Sequence, residues 1–263
     1  MKQYIDIKGC VVTYKIKEST GEKVIKDYIC VDIEATGLQP KAEKIIEIGA
    51  IKVRNLEIVD TFSTFVYPGK PLTKRIIELT GITDADLENA PLVKEIIEDF
   101  HMFCEDLPLL GHNIILDYAF LKRAMVDERL TFERSGVDTL KISRKYLSEL
   151  ESRALGALTK HFQIEHKAHR ALEDAKATHL LYKRMIESFY ERDIAAGLTS
   201  FAAKPLQYQA KRQTLLTIAQ KEQILRLCER DGIALERDVT LMTRSEASRW
   251  IEHRLQSSRV AKE

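Results

Sequence analysis

Residues 28–40, YICVDIEATGLQP, constrain this chain more than any other stretch, because they read as an apolar strand that two acids interrupt. Successive side chains of a strand point to opposite faces, so Asp32 and Glu34 share one face while Ile29, Val31 and Ile33 line the other. In a sheet covered on both faces, ionised carboxylates without a counter-charge cost several kcal/mol or shift their pKa values. A compensating cation is the natural expectation, and the strand reads as half of a metal site.

A chain of 263 residues has length for a large core, as one domain or as a main domain with smaller appendages. With 41 Lys plus Arg against 40 Asp plus Glu the formal net charge is +1, so any nucleic-acid surface has to be local. The four cysteines, Cys10, Cys30, Cys104 and Cys228, lack C-x-x-C spacing and suit buried free thiols in a reducing compartment, which gives an expected cytoplasmic location. No signal-peptide core and no run near the roughly 20 apolar residues of a membrane span are present, so no membrane partner is expected.

Residues 1–27 form an N-terminal extension. Its alternating segment 11–17, the turn-like Glu18-Ser19-Thr20-Gly21 and residues 23–26 predict a hairpin leading into the Asp32 strand. Residues 44–53 (KIIEIGAIKV) and 58–67 (IVDTFSTFVY), joined by Arg54-Asn55, predict a three-stranded antiparallel meander with the first strand. Helical periodicity is strongest over 91–105, 116–128 and 170–191, and 107–111 reads as a short buried strand. Together these predict a mixed α/β domain over 28–192. A linker is expected over 193–215. Capping-box spacing at Thr217/Gln220 and Thr243/Glu246 then predicts helices near 218–230 and 244–256, in a small helical module, 216–263, that sits apart. Its lone Trp250 is expected in the module's core, and its modest basic excess suits a phosphate backbone or a solvated face equally well.

Two further acids follow. In GHNIILDYAFL, residues 111–121, Asp117 heads a helical stripe with Phe120, Leu121, Ala124 and Met125. In HRALED, residues 169–174, Asp174 shares a stripe with the small residues Ala171, Ala175 and Thr178, which let a helix pack closely on a sheet. Each acid alone has a bland reading as a first-turn aspartate favoured by the helix dipole. His169 stands about 140° from Asp174 on a continuous helix, so a loop or first-turn position is expected, at the mouth of a site or simply on the surface. His166, three residues earlier, hints at zinc, but no cysteine pair or third histidine completes a tetrahedral set; four carboxylates suit hard divalent ions such as Mg²⁺ or Mn²⁺.

In order, Asp32-Ile33-Glu34-Ala35-Thr36-Gly37, Gly111-His112-Asn113 leading to Asp117, and His169-x-Ala171-x-x-Asp174 resemble the three motifs of the DnaQ-like 3′-to-5′ exonucleases, in the DEDDh subgroup with four acids and a histidine. Residues 76–83, IIELTGIT, are similar to the proofreading exonuclease domains and epsilon-type subunits of bacterial DNA polymerase III, and the resemblance spans roughly residues 28–190. The sister subgroup has a tyrosine four residues before the last aspartate; Arg170 stands there, favouring the histidine version. Ala35, at a position often threonine, and Leu116, at one often aromatic, are the departures, and neither removes a ligand.

The resemblance implies a ribonuclease H-like fold, a mixed sheet of about five strands flanked by helices, and phosphodiester hydrolysis with two divalent ions, Mg²⁺ or Mn²⁺, about 3.5–4 Å apart. It implies that Asp32 bridges the ions, that Glu34 and Asp174 hold the water-activating one, that Asp117 anchors the other, and that His169 is the general base. The backbone around Ala35, Thr36 and Gly37 is expected to contact the terminal nucleotide, whereas His112, Asn113 and Asp138 are expected to be structural. The expected substrates are single-stranded DNA or RNA 3′ ends, DNA favoured, with nucleoside monophosphates as products. The expected partners include a DNA polymerase or another replication or repair protein. Two other functions stand beside this one: an RNA-processing exonuclease, and a non-catalytic nucleic-acid-binding or polymerase-associated subunit that keeps the fold.

Overall fold

The computed structural model describes residues 2–5, 11–14, 24–167, 169–235 and 238–260. A two-stranded antiparallel sheet pairs β1 (Lys2–Ile5) with β2 (Val11–Tyr14). Residues 24–26 form no strand, so the expected pairing of 11–17 with 23–26 is replaced by this earlier hairpin; residues 15–23 lie outside the described ones.

The main sheet has six strands in the order β5-β4-β3-β6-β7-β8. These are β3 (Tyr28–Ala35), β4 (Ile45–Arg54), β5 (Glu57–Phe65), β6 (Leu109–Gly111), β7 (Ser135–Asp138) and β8 (Lys204–Pro205). The first three make the predicted antiparallel meander, and β6 and β7 join in parallel. This is a mixed α/β sheet, one strand larger than expected, because residues assigned to a linker supply β8. Among the described residues no helix is long and apolar enough to cross a membrane.

Strand alternation divides the core into two layers. Ile29, Val31, Ile48 and Ala50 pack against α3 (Val93–Cys104) and α4 (Ile114–Asp127). Tyr28, Cys30, Ile51 and Val53 pack on the other face, against Ala175, Leu181, Tyr182 and Met185 of the 25-residue helix α7 (Ala171–Ala195), with α5 (Thr139–Tyr146) and α6 (Leu155–His161) beside it. Two shorter helices, α1 (Lys74–Thr80) and α2 (Asp84–Leu87), cover Ile46. Cys30, Cys104 and Cys228 are buried and free; Cys10 lies outside the described residues.

The segment expected to be a linker is bound to the sheet domain along much of its length. Phe201 is fully buried in the α7 layer, Lys204–Pro205 pairs with β7, and the Gln213 amide donates to Asp127 Oδ1 at 2.6 Å. The helices α8 (Ile218–Asp231) and α9 (Arg244–Val260) form behind the predicted capping pairs: the Thr217 amide donates to Gln220 Oε1 at 2.9 Å, and the Thr243 amide to Glu246 Oε2 at 2.7 Å. Ile224, Leu227, Ala247 and Ile251 make their core, with Trp250 against it. The module does not sit apart, since Lys44 pairs with Glu246 at 3.4 Å and Leu241 packs over Gly69. The sequence missed this because the contacts are single polar pairs and one leucine, with no periodic pattern to mark them.

Candidate active site

Asp32 and Glu34 project from the α7 face of β3, continuing the side of Tyr28 and Cys30. A register shift between Glu34 and Ala35 bends the strand end, where Ala35 pairs with Ile45. Asp174 comes from the first turn of α7, and one oxygen from each of Asp32, Glu34 and Asp174 lies within 4.8 Å of the others.

Gly49 makes this convergence sterically feasible. It is the cross-strand partner of Asp32, and a Cβ there would lie 2.0 Å from the Leu172 backbone nitrogen and 2.2 Å from the Ala171 carbonyl carbon. The N-terminal turn of α7 thus lies directly on the β4 backbone. The small Ala171 and Ala175, both fully buried, extend the close approach along the helix.

Asp117 reaches the site from the opposite layer. Strand β6 pairs with β3 only at Ile29 and Cys30, which leaves the next part of the β3 edge free on that side. The Ile33 amide donates there to Asp117 Oδ1 at 3.1 Å. The α4 aspartate, 7% exposed, therefore completes a strand edge besides sitting in a helix first turn.

The electrostatics are one-sided. Burial first, then the charges of Asp117, Asp174, Glu34 and Glu47, push the Asp32 carboxyl well above the ordinary carboxylate range. Burial and the charges of Asp174 and Glu47 raise Glu34 to about 7. Burial raises Asp117 to about 8, although the Ile33 amide opposes the shift. No lysine or arginine among the described residues forms an ion pair with these three carboxylates.

Glu47 is the instructive contrast, and its sequence signal went unread. It interrupts KIIEIGAIKV as the acids interrupt β3, faces Glu34 in the register and is 1% exposed. Its charge is answered within the chain: Arg170 Nε and Nη2 donate to Oε1 at 3.2 and 3.1 Å, and the Ala171 amide donates to Oε2 at 3.1 Å. Arg170 also lies over the Phe65 ring, 5.1 Å from its centre. Three carboxylates converge as an all-oxygen set in which no lysine or arginine among the described residues pairs with Asp32 or Glu34, beside Glu47, whose charge Arg170 meets, and this fits a hard divalent ion.

His169 is exposed in the loop before α7, with φ 68° in the left-handed region. It makes no described hydrogen bond with the acids. His166 does: its Nε2 shares a hydrogen bond with Asp174 Oδ1 at 2.5 Å, and its Nδ1 faces Thr159 Oγ1 at 3.3 Å. The only sequence signal for His166 was its spacing from His169, and that pointed towards zinc.

At the strand tip, Thr36 Oγ1 donates to Glu43 Oε2 at 2.5 Å and accepts from the Lys44 amide at 3.0 Å. A Cβ at Gly37 would meet Glu43 Cγ at 2.9 Å, so a larger residue there would have to displace the Glu43 side chain. His112 and Asp138 belong to the scaffold. His112 contacts Thr139 Oγ1 and the Arg153 carbonyl, and Asp138 accepts from the Asn113 and Leu140 amides.

The family described as RNase_T, Exonuclease, matches residues 29–182. DNA polymerase III PolC-type of Caldanaerobacter subterraneus subsp. tengcongensis is 37% identical over 196 residues, 73% of this chain and 14% of that protein. The PolC-type polymerase of Halalkalibacterium halodurans is 42% identical over 170 residues, 64% of this chain and 12% of that protein. The chain thus spans less than a sixth of the length of these relatives. Among solved structures, E. coli exonuclease I in complex with a dA16 oligonucleotide superposes with a TM-score of 0.56 at 17% identity, covering 65% of this chain and 43% of that one, which shows a shared fold. Exonucleases of this family depend on divalent metal ions. With the matched segment holding all four acids and the sheet of the exonuclease fold beneath them, the chain belongs to the RNase T exonuclease family, the DnaQ-like 3′-to-5′ exonucleases.

Proposed function

We propose that this chain hydrolyses phosphodiester bonds one nucleotide at a time from the 3′ end of single-stranded nucleic acid, DNA in preference to RNA, releasing nucleoside monophosphates. The observation that carries the reading is the convergence of Asp32, Glu34 and Asp174 within 4.8 Å, beside Asp117. These four carboxylates would hold two divalent ions, Mg²⁺ or Mn²⁺, which when bound supply activation of water and stabilisation of charge on the phosphoryl group.

The chain's own residues do the rest. Asp32 and Glu34 are fixed by the sheet, Asp174 by the seat of α7 on Gly49, and Asp117 by the Ile33 amide, so the cage is preorganised by rigid elements. The tip formed by Ala35, Thr36 and Gly37 offers backbone groups to the terminal nucleotide. His169, exposed at the loop, accepts the attacking water's proton, a role that suits an imidazole at neutral pH. His166 supports a second reading for that base, because its imidazole already touches Asp174.

The similarity to PolC-type polymerases supports a role beside a DNA polymerase. Digestion of matched 5′-labelled DNA and RNA oligonucleotides with Mg²⁺, Mn²⁺ or EDTA tests the proposal, with Asp32→Ala as control. A metal-dependent ladder shortening from the 3′ end, absent in the variant, is expected and faster for DNA. No ladder with either substrate would favour a binding subunit that keeps the fold.

A further inference from the structure

Between the sheet domain and the C-terminal module lies a cleft of about 520 Å³, within the range of about 300–1,000 Å³ typical of ligand sites. Phe120 and Arg123 of α4 line it, together with Arg212, Thr214 and Leu241. Arg123 is only 9% exposed, and its Nη2 is buried without a hydrogen-bond partner. A buried guanidinium nitrogen with an unmade bond is costly unless an anion completes it.

The surrounding charges favour an anion. Lys41, Lys44, Lys94 and Arg212 line the cleft with Arg123, against Glu43, Asp127 and Glu128. Two of the three acids are engaged: Glu43 accepts from Thr36 and pairs with Lys70 at 3.5 Å, and Asp127 accepts from the Gln213 amide. Burial raises the Asp127 carboxyl, opposed by the Gln213 amide and by the charges of Arg123, Lys44 and Arg212. Lys94 is exposed at the rim.

The cleft wall shares residues with the segment bonded to the tip of β3. Glu43, Lys44 and Ile45 form part of its wall, and these residues bond to Thr36 and pair with Ala35 at the tip of β3. A strand ending at Asp32 and Glu34 would leave over this tip and enter the cleft. We propose that the cleft holds the sugar–phosphate backbone of the single-stranded substrate on the 5′ side of the cleaved bond, with Arg123 donating to one phosphate. The inference rests on the hydrolytic reading and adds to it a path for the strand. The C-terminal module acquires a purpose as the second wall of that path.

The test measures binding of 5′-fluorescent oligothymidylates to the full chain in EDTA, by anisotropy over a range of salt, for a dinucleotide and for a strand of about 16 nucleotides. Wild type should gain affinity with length. Arg123→Met should lose on the order of tenfold in affinity for the long strand and lower the salt slope by about 0.7, the value for one phosphate contact on a single strand. Lys94→Gln, an exposed rim change that leaves packing intact, should lower the slope as well, and it decides the matter if Arg123→Met fails to fold. Wild-type affinity and slope in Lys94→Gln and in folded Arg123→Met would overturn the cleft. Hydrolysis of thymidine 5′-p-nitrophenyl phosphate with Mn²⁺ by wild type is read separately. Its absence counts against the hydrolytic reading, while the binding series still reports on the cleft.

Discussion

Gly49 and Leu172 are in contact so close that a Cβ on the glycine would sit 2.0 Å from the leucine's backbone nitrogen. Since Gly49 is also the register partner of Asp32, one hydrogen side chain sets the distance between the strand acids and Asp174. Gly49→Ala must lift the first turn of α7 off the sheet. Overpacking of this kind costs about 1–3 kcal/mol, and a displacement near 1 Å at a reacting centre costs about 10²-fold in rate. We expect a lowered Tm together with at least that loss of Mg²⁺-dependent cleavage, whereas Gly156→Ala, with open space at its Cβ, should leave both near wild type.

Carboxylates with raised pKa values bind protons more tightly in the folded protein than in the unfolded chain. Glu34 at about 7, Asp117 at about 8 and Asp32 higher than usual therefore contribute stability at low pH, which is lost as pH rises through those values. In EDTA the Tm should fall between about pH 5.5 and pH 8.5, and Mg²⁺ should restore more of it at the higher pH. Asp32→Asn should flatten the profile, stabilise the metal-free protein at the alkaline end and abolish turnover. A calorimetric Tm that rises with pH in EDTA would contradict the charge balance described for the site.

The two histidines separate by what their loss changes. If His169 is the base, His169→Ala loses roughly 10²–10⁴-fold in kcat and keeps metal affinity. His166→Ala then frees Asp174 and shifts metal affinity more than kcat. Isothermal titration with Mn²⁺ beside single-turnover cleavage distinguishes the assignments, and the reverse pattern would give the proton transfer to His166.

Arg170→Met leaves Glu47 buried with the Ala171 amide as its remaining described donor. Arg170 is about half exposed, which screens the pair, so the cost expected is about 1–3 kcal/mol, below that of a fully buried pair. Chemical denaturation measures it. Glu47→Gln combined with Arg170→Met should recover part of the loss, because the uncompensated charge is gone.

How much of this was legible in the residues follows from where the information sits. Asp32 and Glu34 announced themselves because two acids on one face of an otherwise apolar strand demand a counter-charge. The capping pairs at Thr217 and Thr243 marked their helices through local hydrogen bonds. Glu47 carried the same signal as the β3 acids, but only the fold reveals that Arg170 answers it. His166 carried almost none, since its partner Asp174 is reached through a loop and a helix turn whose path no periodicity records.

The sequence by itself therefore revealed the β3–β5 meander and the long helices, and pointed to four acids as a set suited to a hard divalent ion, because these depend on neighbours a few residues apart. Tertiary structure alone decided which acids lack a cation, which histidine touches Asp174, and that the C-terminal module packs on the domain. Those outcomes depend on distances between segments brought together by packing: the α7 turn lying on Gly49, Asp117 meeting the edge left by β6, and Arg123 and Arg212 lining one cleft.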